Sequence, residues 1–169
     1  RFFRPPSEPP APRERPLVIS AGLEQRDYRR LAEATRGLDV DVDVCAVSPD
    51  RAGANTLLPE SIPTNMAFAP LSIQGLRDLY QRADLFVLST APNTMGAGLS
   101  AVMEALGSGL DVVASIAEDD LAELVADELI TKTPDTSSAS LRAAIEEALA
   151  SGDRTERTPR YRLSADDYV

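Results

Sequence analysis

Six short apolar runs, separated for the most part by amphipathic stretches with helical spacing, constrain this chain more than anything else in it. The runs are PLVIS (16–20), VDVDVCAVS (40–48), NMAFAP (65–70), DLFVLST (84–90), DVVAS (111–115) and ELITKT (128–133). Each is of strand length, and DLFVLST and DVVAS carry unbroken apolar stretches, LFVL and VVA, as strands buried on both faces do. In VDVDVCAVS, Asp41 and Asp43 alternate with Val40, Val42 and Val44, so one face of that strand is wet or lies near a sheet edge. Helical periodicity covers 27–36, 73–83, 97–109, 118–127 and 137–152, with Gly37, Gly109 and Gly152 as stops. Alternation of this kind predicts an α/β fold: a Rossmann-like three-layer sandwich with a mostly parallel six-stranded sheet and right-handed crossovers. Ligands of such sheets sit outside the carboxyl ends of the strands. The loops after 16–20, 65–70, 84–90 and 111–115 are therefore where chemistry is expected.

Composition removes several kinds of chemistry. The 169 residues include no histidine and one cysteine, Cys45. That excludes Ser-His-Asp and Cys-His catalysis, a zinc site of the usual Cys/His type and an internal disulfide. A net charge of −10 argues against a general nucleic-acid binder and against an anionic membrane surface. No apolar run approaches the roughly 20 residues of a membrane span. Lys132 is the only lysine, so lysine-based chemistry has one candidate.

The two ends differ from the middle. RFFRPPSEPPAPRERP holds six of the 13 prolines and is expected to be an extended interdomain linker over residues 1–15, with the folded domain spanning 16–169. RYRLSADDYV begins a helix capped by Ser164, with Asp166 and Asp167 in its first turn, and then stops. Both ends have the character of a piece of a longer chain.

Two loops could hold an anion. In SAGLEQRDY (20–28), Gly22 lets the chain turn sharply after the first strand, and Arg26 stands at the mouth of the next helix. A single glycine after a strand also suits a plain turn. In APNTMGAGLSAVMEALGSG (91–109), the amides of Gly98, Leu99 and Ser100 fall at a helix start, where unpaired donors can hold a diphosphate. Neither loop has the Gly-Lys-Ser/Thr of a phosphate-loop NTPase or a GxGxxG dinucleotide fingerprint. Glu104 lies in the helix that follows, flanked by apolar residues, and periodicity alone points its carboxylate to solvent. The stretch ITKTPD (130–135) is similar to the lysine-proline turn of response-regulator receivers, but the acidic pair and the aspartate that a receiver needs are replaced by SAGLE and FAPLS.

Taken in order, LVISAGLEQRDYRRLAEA, SIPTNMAFAPLSIQGLRDLYQRADLFVLST and GLSAVMEALGSGLDVVAS resemble the nucleotide-sugar-binding C-terminal half of family 4 glycosyltransferases, which have the two-domain glycosyltransferase-B fold. The last segment is the specific one, being similar to the family signature Gly-Leu-x-x-x-x-Glu-Ala-Met-Ala-x-Gly-x-Pro-Val-Val-Ala-Ser. The opening RFFRPP resembles the hinge between the halves. The resemblance implies the donor-binding half of a cytoplasmic retaining glycosyltransferase. Its partners would be a nucleoside-diphosphate sugar and an N-terminal acceptor-binding half, with no metal and no further cofactor. Glu104 would bind the ribose hydroxyls, and the amides of Leu99 and Ser100, after Gly98, would hold the donor phosphate. Gly22 would lie near the diphosphate. Pro70 and Leu71 would fall in the base-contacting loop. Arg26 would be the catalytic cation that offsets charge on the leaving diphosphate.

The chain also departs from that pattern. Gly96 stands where the family's first glutamate contacts the sugar, Leu23 where an arginine follows the loop glycine, and Asp111 where the signature has proline. The nearby lysine is missing, and the turn before the last strand is shortened to VADELI. These departures leave open a second expectation, a catalytically degenerate glycosyltransferase-like module that binds a partner or serves structurally.

Overall fold

The computed structural model describes residues 2–46, 55–91, 97–117, 121–151 and 158–159. In chain order the elements are β1 (Leu17–Ala21), α1 (Tyr28–Thr35), β2 (Asp41–Cys45), β3 (Met66–Phe68), α2 (Ile73–Arg82), β4 (Leu85–Ser89), α3 (Leu99–Gly107), β5 (Asp111–Ser115), α4 (Ala122–Ala126), β6 (Thr131–Lys132) and α5 (Ser138–Ser151). The strands form one sheet in the order β3-β2-β1-β4-β5-β6, and every pair is parallel. This is the doubly wound arrangement expected from the alternating sequence pattern, without an antiparallel strand.

Side chains that alternate along the central strands divide the core in two. Ile19, Phe86 and Val112 pack with Leu79 and Tyr80 of α2 and Leu106 of α3 on one face. Val18, Val87 and Val113 pack with Tyr28 and Leu31 of α1 and Leu141 of α5 on the other. All residues of β1 and β4 are buried, which explains their unbroken apolar runs. β2 instead alternates half-buried aspartates with buried valines. Asp41 pairs with Arg15 at 2.6 Å and Asp43 lies 3.8 Å from Arg82, so the wet positions face charge at the amino end of the sheet.

Local signals set most helix boundaries. The Asp27 carboxylate accepts from the Arg30 amide at 2.9 Å to start α1, and the Ser72 hydroxyl accepts from the Gly75 amide at 3.1 Å to start α2. The expected strand over 128–133 shrinks to Thr131–Lys132. The end of α4 takes the preceding residues: the amides of Leu129 and Ile130 donate back to the Leu124 carbonyl, with Glu128 at φ 56°. The expected helix over 118–127 is described from Ala122. The expected capped helix from Ser164 lies outside the described residues.

Residues 2–16 form no helix, as their prolines dictate, yet they lie against the domain. Phe3 meets Tyr80 edge-on at 5.5 Å, the Gln81 side-chain amide donates to the Arg4 carbonyl at 3.2 Å, and Arg13 bonds the Arg82 carbonyl and the Asp84 carboxylate.

Candidate functional site

Because all strands are parallel, their carboxyl ends share one edge, and the chain reverses its direction of winding between β1 and β4. A cleft of about 480 Å³ opens at that reversal. One wall carries Ala21, Gly22 and Arg26 after β1, and Cys45 at the end of β2. The floor and rim carry Leu71, Ile73 and Leu76 around the start of α2. The opposite wall is Gly98 and the first turns of α3, through Leu99, Ser100, Ala101 and Glu104. The structure thus brings seven of the residues singled out from sequence into one cleft: Gly22, Arg26, Leu71, Gly98, Leu99, Ser100 and Glu104. Pro70 is exposed and stands outside the lining. Gly96 lies outside the described residues.

The loop after β1 is held tightly. The Gly22 amide donates to the Cys45 carbonyl at 3.2 Å, and the Gly22 carbonyl accepts from the Tyr28 hydroxyl at 2.5 Å. Both backbone groups of Gly22 are therefore spent, and what Gly22 contributes is its lack of a side chain at φ 123°. Arg26 fills that space. Its side chain donates from Nε to the Ala21 carbonyl at 3.1 Å and from Nη1 to the Glu24 carbonyl at 2.9 Å. Arg26 is only 6% exposed and forms no ion pair with a carboxylate among the described residues. Burial lowers its affinity for the proton, and Tyr28, Tyr80 and Glu24 oppose the shift.

Gly98 caps α3 from the left-handed region, at φ 108°. A Cβ there would meet Leu88 Cδ1 at 2.6 Å, so only glycine lets α3 begin this close to β4. The first amides of α3 have no intrahelical acceptor, by the geometry of any helix start. Leu99 and Ser100, which follow Gly98, therefore present donors at the cleft.

Glu104 corrects the expectation drawn from periodicity. It does not stand in solvent but lines the cleft at half burial. Burial pushes its carboxyl above the ordinary glutamate range, and the neighbouring Tyr80 hydroxyl pulls it partly back. Among the described residues no cation pairs with it. Cys45 faces the same space, and burial raises its thiol.

Sequence reasoning passed over two supports of this edge. Tyr28 locks the glycine loop from below, and Arg30 fastens α1 to the strand ends. From Nη1, Arg30 donates to the carbonyls of Thr90 at 3.1 Å and Ser115 at 3.2 Å, while Nη2 pairs with Asp27 at 3.2 Å. The only signal was the pair of arginines in DYRRLAEA, which fits a solvated helix face equally well.

No protein-family model and no curated protein matches the chain. Solved structures do. Sucrose-phosphate synthase from Thermosynechococcus elongatus superposes with a TM-score of 0.67 at 16% identity over 91% of this chain and 42% of its own. HepE from Anabaena, in complex with UDP-glucose, gives 0.55 at 15% over 84% of this chain and 41% of its own. The C-terminal domain of LpcC, a group 1 family glycosyl transferase from Francisella tularensis, gives 0.63 at 14% over 92% of this chain and 89% of its own. The chain thus spans about two fifths of the two longer proteins and nearly the whole of the isolated C-terminal domain. The fold of this chain is that of the C-terminal half of the glycosyltransferase-B architecture.

Proposed function

We propose that the chain is the donor half of a glycosyltransferase and that its cleft takes the nucleoside diphosphate of an activated sugar. One observation carries this reading: among the described residues, the cleft holds a buried guanidinium without a carboxylate partner on one wall and a half-buried carboxylate without a cation partner on the other. A ligand that suits both is anionic at one end and rich in hydroxyls at the other. A nucleoside diphosphate has that polarity. Arg26 and the first amides of α3 would take the phosphates, and Glu104 would accept hydrogen bonds from the ribose hydroxyls. The UDP-glucose held by HepE, on the same fold, agrees with this class of ligand.

In the transfer step the bond from the anomeric carbon to the diphosphate oxygen breaks, and its electrons stay with the phosphate. The acceptor hydroxyl oxygen forms the new bond and passes its proton to the departing diphosphate. Arg26 would stabilise the charge gathering on the leaving diphosphate. Retention of anomeric configuration belongs to the same proposal. So does the need for an acceptor-binding half, since positioning of the acceptor supplies about 7–11 kcal/mol of such a barrier.

Calorimetric titration of the chain with UDP, GDP and ADP tests the reading. Micromolar binding of one of them, lost in Glu104→Ala with an unchanged melting temperature, is the expected result. Failure of all three to bind would leave the degenerate-module reading, which the Gly96 and Leu23 departures favour. With a donor bound, the chain alone is expected to transfer no sugar to simple acceptors. Turnover on the order of 1 per second would show that no second half is needed.

A further inference from the structure

The N-terminal segment is fastened to the domain near both of its ends. Arg13 and Arg15 hold the later part, through Asp84 at 3.2 Å and Asp41 at 2.6 Å. The first residues lie on α2. There the Gln81 side-chain amide donates to the Arg4 carbonyl at 3.2 Å, and the Arg77 guanidinium sits 5.2 Å from the centre of the Phe2 ring. Phe3 reaches deeper. It is half-buried, packs against the core and meets the Tyr80 ring edge-on at 5.5 Å. Tyr80 is itself fully buried and stacks on Phe86 of β4, with ring centroids 5.7 Å apart. Phenylalanine would serve that packing as well, so the hydroxyl is what needs explaining. A buried phenol costs free energy unless it is bonded. This one donates to the Ala101 carbonyl at 3.2 Å. Ala101 lies in the first turn of α3, where the helix ladder already supplies its carbonyl with one donor. The bond from Tyr80 uses the second lone pair and ties that turn to α2.

We propose that Phe3 and Tyr80 are positioning residues for the first turn of α3, so that the N-terminal segment serves the donor site while standing outside the lining of the cleft. This rests on the donor-site reading, in which the amides of Leu99 and Ser100 hold phosphate. A helix start holds an anion only where its amides converge on it. Two contacts set where this start lies. Gly98 lets α3 begin close to Leu88 of β4. Tyr80 fixes the same turn to α2, whose own first turn carries Ile73 and Leu76 at the floor and rim of the cleft. The bond thus ties the floor to the phosphate-holding wall, and Phe3 braces the ring that makes it. A displacement of the segment is passed to the turn through one ring contact and one hydrogen bond.

The test compares Tyr80→Phe, which deletes the hydroxyl and keeps the ring, with Phe3→Ala, which keeps the hydroxyl and removes the ring that braces it. Arg15→Ala, which loosens the segment at its far end, is the control. Amide NMR spectra of the full chain without nucleotide should show the Leu99 and Ser100 resonances displaced in the first two variants and unmoved in the control. By calorimetry, affinity of both variants for UDP, GDP or ADP (whichever binds) should fall about fivefold, the size of one net hydrogen bond. The parent nucleoside should bind as it does to wild type. A purely structural role would lower the melting temperature and leave the Kd of the folded protein unchanged. Unmoved amides, an unchanged diphosphate affinity or equal losses for nucleoside and diphosphate would each overturn the proposal. If the wild-type chain binds none of the three nucleotides, the donor-site reading falls by itself, and the amide resonances still decide whether Phe3 reaches the turn through Tyr80.

Discussion

The guanidinium of Arg26 occupies the space beside Gly22 in which any other residue would carry its Cβ; that point lies 2.8 Å from the Arg26 Cζ. Loop conformation and placement of the cation are thereby one structural fact. Gly22→Ala meets the guanidinium and a backbone at φ 123° together. It is expected to cost about 1–3 kcal/mol of stability, seen as a lowered urea midpoint with an unchanged slope. A variant as stable as wild type would mean that Arg26 swings clear at no cost.

Arg26→Ala is expected to weaken a nucleoside diphosphate at least tenfold, about 1.4 kcal/mol, and to leave the parent nucleoside almost unaffected. A guanidinium pairs with phosphate and gains little from ribose. Comparing UDP with uridine, or the equivalent pair for the base that binds, measures the difference. Equal losses for both would place Arg26 away from the phosphates.

Glu104 carries a prediction of opposite sign for stability and for binding. Burial raises its folded-state carboxyl above its unfolded value, so the folded chain holds the proton more tightly. The contribution of this group to stability is fully present below the ordinary glutamate range and is lost as pH rises through the raised folded value. Glu104→Gln removes that loss. Its melting temperature should equal or exceed that of wild type at pH 7, the gap closing as the pH falls below 4, while nucleotide binding is abolished. A lower melting temperature at pH 7 would show that the ionised carboxylate stabilises the fold.

Arg30→Met is expected to destabilise the chain by about 3 kcal/mol. It leaves the buried Asp27 carboxylate only the residue-30 amide and the more distant Arg29 guanidinium at 3.7 Å, and removes donors from the Thr90 and Ser115 carbonyls. Denaturant unfolding checks the value, and the double variant Arg30→Met, Asp27→Asn should recover part of it. No recovery would assign the loss to the strand-end carbonyls alone.

Local pattern carried the fold a long way because the central strands β1, β4 and β5 are buried on both faces. The five residues of β5 coincide with the DVVAS run, which glycines and a helix bound on either side. β6 was overestimated because the backbone bonds that end α4 consume Leu129 and Ile130, and hydrophobicity does not register such bonds. The loop glycines and the start of α3 were visible as a glycine pattern after strands. The environment of Glu104 was not, because Tyr80 and Cys45 approach it from other elements. Arg30 was hidden for the same reason: its acceptors lie 60 and 85 positions along the chain. Phe3 was assigned to an extended segment on the strength of its proline neighbours, and its contact with Tyr80 depends on the folded position of α2.

The central seam of the sheet is a narrow join. β1 pairs with β4 through two residue positions, Val18 with Leu85 and Ile19 with Phe86, whereas β1 with β2 and β4 with β5 each pair through five. That seam is also where the first half of the sequence meets the second, and the cleft lies across its upper end with Gly22 and Arg26 on one bank and Leu99 to Glu104 on the other. A ligand seated there would act as mortar between the two stretches of chain, adding to the backbone bonds from Asp27 to Ser89 and from Ala91 to Gln25 that already cross the upper end of the seam. Its binding energy would be felt as cohesion of the whole sheet, and amides of β1 and β4 would show the gain as slowed hydrogen exchange.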